Sequence, residues 1–360
     1  MLSLTFVDPR LIALLDRFGD RLIRIACALG GLMAASVLAT LLVAVQAHAA
    51  ETDACGGNDL YVTATDAQRA EIDAMADATP NGRGRLWRIT QEGKPDSFLF
   101  GTMHVTDSRV LTLPPAADTA FAGATRLVIE TTDVLDPQKA AAVMMSRPDL
   151  TMLTDGSTLD TLLPEADRKM VSDALDARGI PLAAVRLMQP WLLTTMVALP
   201  ECEVNRKGGG TSVLDVSLAE RAQAGGKQVE GLETALEQIE AMASLPVADH
   251  VRGLVETIRL GDRTNDVFET MIDLYDKGET ARIMPTLSVM LGEGDEAGAD
   301  SYAAFEEKMI IARNGVMAKR LPEHLADGGA FVAVGALHLP GKDGVIEQLR
   351  RAGYVVTKVD

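Results

Sequence analysis

The sequence predicts an α/β fold of the mixed α+β kind: a central mixed sheet built from strands near both ends of the chain, flanked by helices and interrupted by a long helical insertion. Three observations carry this expectation. Ser97-Phe98-Leu99-Phe100, Leu127-Val128-Ile129 and Ala330-Phe331-Val332-Ala333-Val334 are short apolar runs of the length and composition that fill buried strands. Leu86, Trp87 and Ile89 alternate with polar neighbours ahead of Gly93-Lys94-Pro95-Asp96, which reads as the first arm and turn of a hairpin. From about 137 to 325 the apolar residues recur at helical spacing instead.

Taken in order, the chain begins with Arg10, Arg17, Arg21 and Arg24, followed by an uncharged run from Ile25 to Val45 that ends in Ala47-His48-Ala49. A basic flank, an apolar stretch and a small-x-small site describe a secretory signal peptide over 1–49; a run this long also suits an uncleaved inner-membrane anchor. Either way the remainder is expected outside the cytoplasm, most simply in a periplasm, with membrane contact only through that segment. Residues 50–84 are polar, Ala-rich and broken by Gly56, Gly57, Pro80, Gly82 and Gly84, which predicts a linker or loosely packed lead-in to a domain over 85–360.

After the hairpin and the strand ending at Glu130, Pro164 opens and Gly179 closes a segment with Met170, Val171, Ala174 and Leu175 at helical spacing. Helices are expected over 183–188, 191–199, 213–224, 235–245, 248–260, 265–277, 280–291 and 302–321, with Lys227 to Leu232 as a short strand among them. A helix from Gly344 to Ala352 then leads to a last strand, Tyr354 to Val359. Gly208-Gly209-Gly210-Thr211 has no preceding strand and no following Lys-Ser or Lys-Thr, so it reads as an insert loop rather than a phosphate cradle.

The net charge of −17 argues against nucleic acid, whose phosphates call for a basic face. Cys27 falls in the apolar N-terminal run, which leaves Cys55 and Cys202; in an oxidising compartment this pair reads as a disulfide.

The chemistry is carried by a likeness between two distant places. Phe98-Leu99-Phe100-Gly101-Thr102-Met103-His104 and Val332-Ala333-Val334-Gly335-Ala336-Leu337-His338 are each an apolar strand, then Gly, two residues and His. In open α/β sheets ligands bind where strands end, and a glycine there lets the backbone turn or approach closely. Two such loops on neighbouring strands can aim two imidazoles at one point. Glu130, leaving the third apolar run, would emerge at the same edge, and a carboxylate there needs a cation, a metal or hydrogen-bond donors. Two His and one carboxylate suit Zn, Mn, Fe or Co with positions left for water. The same groups could also perform acid–base catalysis without a metal. His250 and His324, on charged or terminal helix positions, read as structural.

These residues resemble the TraB/GumN family, which includes the Tiki metalloproteases. The resemblance rests on Phe-Leu-Phe-Gly-Thr-Met-His at 98–104, Val-Ile-Glu ending at Glu130, Gly-Leu-Glu-Thr with a following Gln at 231–238, Ala-Arg-Asn at 312–314 and Val-Gly-Ala-Leu-His-Leu-Pro-Gly at 334–341. It implies a site of His104, Glu130 and His338, a divalent metal (Mn, Co or Zn), hydrolysis of a peptide or protein substrate, and a role for Arg313 in neutralising a carboxylate or an oxyanion. Two other readings use the same pocket: a non-hydrolytic envelope binding or accessory protein linked to polysaccharide, and a metal-independent esterase-like enzyme. No Gly-x-Ser-x-Gly elbow is present to support a serine hydrolase.

Overall fold

The computed structural model describes residues 55–292 and 296–360. Six strands form one sheet in the order β4-β3-β5-β2-β1-β6: β1 Leu86–Thr90, β2 Ser97–Thr102, β3 Arg126–Ile129, β4 Gln228–Gly231, β5 Ala330–Gly335 and β6 Val355–Lys358. The expected hairpin is β1 with β2, paired antiparallel with Leu86 opposite Phe100. β5 lies between β2 and β3 and runs parallel to both, with Thr102 opposite Gly335 and Ile129 opposite Ala333. β4 runs parallel to β3, so four strands end at one edge. The fold is therefore the mixed α+β arrangement expected, with one difference: β4 comes from within the helical insertion, so the sheet draws on three parts of the chain.

Alternation along the strands divides the core into two layers. Phe100, Leu127, Ile129, Phe331 and Ala333 face one side. There they meet helices α2 (Pro115–Gly123), α4 (Leu214–Ala224), α6 (Arg263–Asp276) and α7 (Thr280–Leu291). Phe331 has the ring of Phe121 edge-on at 5.4 Å and that of Phe100 tilted at 5.8 Å. Leu99, Val128, Val332 and Val334 face the other side, against Met317, Leu321 and Leu325 of α8 (Ala312–Leu325) and Val345, Ile346 and Leu349 of α9 (Val345–Arg351). Each such side chain removed from water contributes about 1.5–3 kcal/mol. β5 is covered on both faces, which is why its sequence is apolar without alternation. A separate helical core inside the insertion gathers Leu159, Val171, Leu175, Leu193 and Val197 with Leu254 and Val255 of α5 (Val247–Leu260).

Two expectations are corrected. The lead-in is not loose: it holds a helical turn at Leu60–Thr63 and helix α1 (Asp66–Asp77), whose Thr65 and Gln68 form a capping box and whose Ile72 and Ala76 are buried. Its glycines and its polar composition conceal the pattern, because only one stripe of α1 is apolar. Gly208 to Gly210 is not a free insert loop: Gly208 ends helix α3 (Glu201–Gly208), and Gly209 and Gly210 cap it with backbone bonds to Asn205 and Lys207. Neither Gly101 nor Gly335 adopts a positive φ, so of the two roles expected of them, turning or close approach, the second applies.

The Cys55–Cys202 disulfide is present, closing 147 residues of chain. The expected signal or anchor lies outside the described residues; among those described, no helix is long and apolar enough to cross a membrane.

Candidate functional site

Four parallel strands release their chains at one edge, and the sequence-predicted residues lie there. His104 follows β2 by two residues, Glu130 follows β3 directly, and His338 ends a 3-10 turn over Ala336–His338 that follows β5. Glu233, two residues beyond β4, joins them.

The two motif glycines act through close approach. A Cβ on Gly101 would stand 2.9 Å from Leu339 Cδ1 and 3.0 Å from Ala336 Cα, so the absent side chain lets the His338 turn fold down onto β2. A Cβ on Gly335 would stand 3.2 Å from Glu130 Oε1, and the Gly335 N–H donates to that oxygen at 2.7 Å. The glycine of each motif thus makes room for a part of the site carried by another strand.

His338 is 5% exposed in its side chain, and its Nε2 lies 3.6 Å from Glu130 Oε1. Behind it, Nδ1 pairs with Asn314 Oδ1 at 2.7 Å; an amide oxygen only accepts, so the proton is assigned to Nδ1 and the Nε2 lone pair faces the site. Burial outweighs the pull of Glu130 and, with the charges of Arg313 and His104, lowers the His338 pKa to about 4, leaving the ring neutral.

His104 has its side chain 60% exposed and forms the open side of the site. Its Nδ1 is 2.8 Å from Asp215 Oδ2, whose other oxygen accepts Thr102 Oγ1–H at 2.6 Å. Asp215 sits in the first turn of α4, where a carboxylate is favoured. Desolvation acts to lower the His104 pKa, but the hydrogen bond and charge of Asp215 and the charge of Glu130 raise it to about 9.

Glu130 is buried and ionised. Burial opposes its charge, yet His338, which is protonated in the acid range where this carboxyl titrates, Arg313, His104 and the Gly335 N–H hold it down at about 2. With His338 neutral, Arg313 is the permanent cation beside it: Arg313 Nη2 donates to Glu130 Oε2 at 2.6 Å and to Glu233 Oε2 at 2.7 Å. Gln238 Nε2 reaches the same Glu130 oxygen at 3.2 Å and Glu233 Oε2 at 3.4 Å. Arg313 and Asn314 are adjacent on α8 yet serve different partners. Five π-helical residues, Glu307–Ile311, precede them, a local widening that recurs at functional sites.

The geometry thus brings Glu130, His338 and Arg313 into one cluster, with His104 leaving the same sheet edge and within electrostatic reach of Glu130 and Arg313. Sequence reasoning passed over Asp215, Asn314, Glu233 and Gln238 as site residues; the last three stand in the motifs at 231–238 and 312–314, while nothing in the sequence around Asp215 marks it. His250 is buried with Nε2 3.1 Å from Met242 O, and His324 pairs with Glu230 at 2.6 Å, both outside this cluster. A groove of about 550 Å³ lined by Phe98, Pro115, Thr119 and Val359 lies toward the opposite end of β2 and shares no residue with the site.

Among the described residues, no three His, Cys, Asp or Glu side chains stand close enough to close a coordination sphere by themselves. The donor set nonetheless suits a divalent ion in kind. Both imidazoles are fixed through Nδ1 by an outer hydrogen-bond partner, which leaves Nε2 as the coordinating atom, and an ionised carboxylate lies beside one of them.

A family model described as the TraB/PrgY/gumN family matches residues 85–358. Among curated proteins, Metalloprotease TIKI1 of Danio rerio is 28% identical, the match covering 75% of this chain and 62% of that protein. Metalloprotease TIKI1 of Homo sapiens is 27% identical over 75% of this chain and 61% of that protein. The Metalloprotease TIKI homolog of Nematostella vectensis is 25% identical, over 80% and 70%. The chain thus spans about three fifths of the length of the TIKI1 proteins it matches. No solved structure matches the chain.

Proposed function

Because this chain belongs to the TraB/PrgY/gumN family, we propose that it is a metal-dependent hydrolase acting on a peptide or protein outside the cytoplasm. The observation that carries the reading is the meeting at one sheet edge of His104, Glu130 and His338, with both imidazoles pinned behind through Nδ1. The names of the similar proteins support peptide-bond hydrolysis, and the Cys55–Cys202 bridge supports an oxidising compartment.

In this reading His104, Glu130 and His338 hold the ion. A bound Mn, Co or Zn ion would supply a Lewis acid and a water that ionises near neutral pH. The chain's own residues do the rest. Asn314 keeps the His338 proton on Nδ1, so Nε2 is always a lone-pair donor. Asp215 accepts from Nδ1 of His104 and orients the ring, so that its Nε2 is turned to the ion from the solvent side. Arg313 keeps Glu130 and Glu233 compatible with burial side by side and so fixes the carboxylate's direction.

One observation favours a metal-independent acid–base reading as the runner-up: the protonation preferences of His104 and His338 are driven apart, as in paired acid and base groups. The test is calorimetric titration of Mn2+, Co2+ and Zn2+ into the metal-stripped protein beside a folded His104→Ala/His338→Ala variant. One ion bound per chain and lost in the variant is the expected result. Binding by neither protein overturns the metal reading, and hydrolysis of a peptide library that survives chelation would favour the runner-up.

A further inference from the structure

A second buried charged cluster adjoins the site and plays no part in the reading above. The loop leaving β2 carries His104 and, two residues on, Thr106. Glu203 in α3 is fully buried, and its two oxygens accept the Thr106 N–H at 3.1 and 3.0 Å while Oε2 also accepts Thr106 Oγ1–H at 2.9 Å. Arg206, one turn along, donates from Nη2 to Glu203 Oε1 at 2.5 Å and from Nε to Thr106 Oγ1 at 2.9 Å. A carboxylate withdrawn from water requires such partners, and beyond its own helix those described here come from one residue of the His104 loop.

Helix α3 is itself fastened. Cys202, its second residue, is bridged to Cys55, whose Sγ lies 3.4 Å from Arg206 Nη2. The segment after Cys55 is seated on α6: Asn58 N–H donates to Asp266 Oδ1 at 2.7 Å and Leu60 N–H to Thr270 Oγ1 at 2.8 Å. A Cβ on Gly57 would stand 2.0 Å from the Asn265 carbonyl oxygen, so only glycine permits this seat. The same α6 holds the far end of the His104 loop, where Arg109 clasps Asp107 and pairs with Glu269 at 2.7 and 2.8 Å.

We propose that Glu203, tethered through the Cys55–Cys202 bridge, is a positioning residue for His104: it fixes Thr106 so that His104 Nδ1 meets Asp215, and the site is set only in the disulfide-bonded chain. The proposal rests on the reading that His104 belongs to the working site. It is tested without metal or turnover, by NMR of the full chain carrying 15N-histidine. The quantity read is the rate at which the Nδ1 protons of His104 and His338 exchange with water in wild type, Glu203→Gln, Thr106→Val and Cys55→Ala/Cys202→Ala. Exchange at His104 is expected to accelerate about fivefold or more, the ratio set by losing one net hydrogen bond of about 1 kcal/mol, while His338, held by Asn314, keeps its rate. A general loosening would move both protons, so His338 separates positioning from stability. If Glu203→Gln does not fold, Thr106→Val and the cysteine pair decide the matter. An unchanged His104 rate in both, or equal acceleration of both histidines, overturns the proposal. Failure of the wild-type protein to take up any ion defeats the metal reading alone and leaves this comparison intact.

Discussion

Replacing Arg313 with methionine should be among the most destabilising single changes at the site. The methionine keeps much of the apolar stem but removes the cation shared by Glu130 and Glu233, whose side chains are 8% and 2% exposed. What remains for Glu130 is the Gly335 N–H and the more distant rings of His338 and His104, and for both carboxylates the long bonds from Gln238. Removing one partner of a buried ion pair costs about 3–5 kcal/mol, a large share of the roughly 5–15 kcal/mol that holds a protein folded. At a urea slope of about 3 kcal/mol per M, a loss of 4 kcal/mol moves the midpoint by about 1.3 M. The pH dependence gives the reasoning a sign. In wild type the Glu130 carboxyl is lowered from 4.5 to about 2, so its contribution is present above 4.5 and lost as pH falls towards 2. In the variant the uncompensated charge is a penalty that protonation relieves, so the gap between the proteins should narrow from pH 7 to pH 4. Adding Glu233→Gln removes one of the two orphaned charges and should recover about 2 kcal/mol. Urea unfolding at both pH values measures all of this. A variant within 1 kcal/mol of wild type at pH 7, or a gap that widens on acidification, refutes the argument.

Gly101→Ala should cost about 1–3 kcal/mol, because the new methyl meets the buried Leu339 and the backbone of Ala336; an unchanged urea midpoint would show that the His338 turn can simply shift. Cys55→Ala/Cys202→Ala should lower stability by about 2–5 kcal/mol, read by urea unfolding under non-reducing conditions, and a loss below 1 kcal/mol would mean that the seat on α6 suffices alone. In metal-free protein at pH 7.5, nitrogen shifts should report His104 charged and His338 neutral. The His104 contribution, from a pKa raised from 6.5 to about 9, is full below 6.5 and lost as pH rises through 9; that of His338, lowered to about 4, is full above 6.5 and lost as pH falls through 4. Joint titration of the two rings near 6.5 would contradict the assigned surroundings.

How much of this was legible beforehand depends on how local the signal is. β2, β3 and β5 were visible because an apolar run buried on both faces is dense in Leu, Val, Ile and Phe, and the residues that follow such runs, His104, Glu130 and His338, could be read as sharing an edge. Arg313 came only through the resemblance; no period or spacing ties a helix residue to a carboxylate 183 positions earlier. Asp215 had no signal, since an acidic residue in a first helical turn is ordinary and its partner lies 111 positions away. Helix α1 was missed because capping by Thr65 and Gln68, not apolar content, marks its start. The roles of the two glycines were read too locally: what they accommodate belongs to other strands, and only the strand order reveals it.

That strand order bears on when the residues of the candidate site can first come together. β2 and β3 are separated by a slot one strand wide, and the segment that fills it, Ala330–Gly335, lies far downstream of both. Until it inserts, Glu130 lacks the Gly335 N–H and His338 has no turn to stand on. A chain still being synthesised therefore carries His104 and Glu130 without the backbone donor and the second imidazole that β5 brings. Insertion of β5 and assembly of this cluster are a single late event, with only the edge strand β6 still to follow.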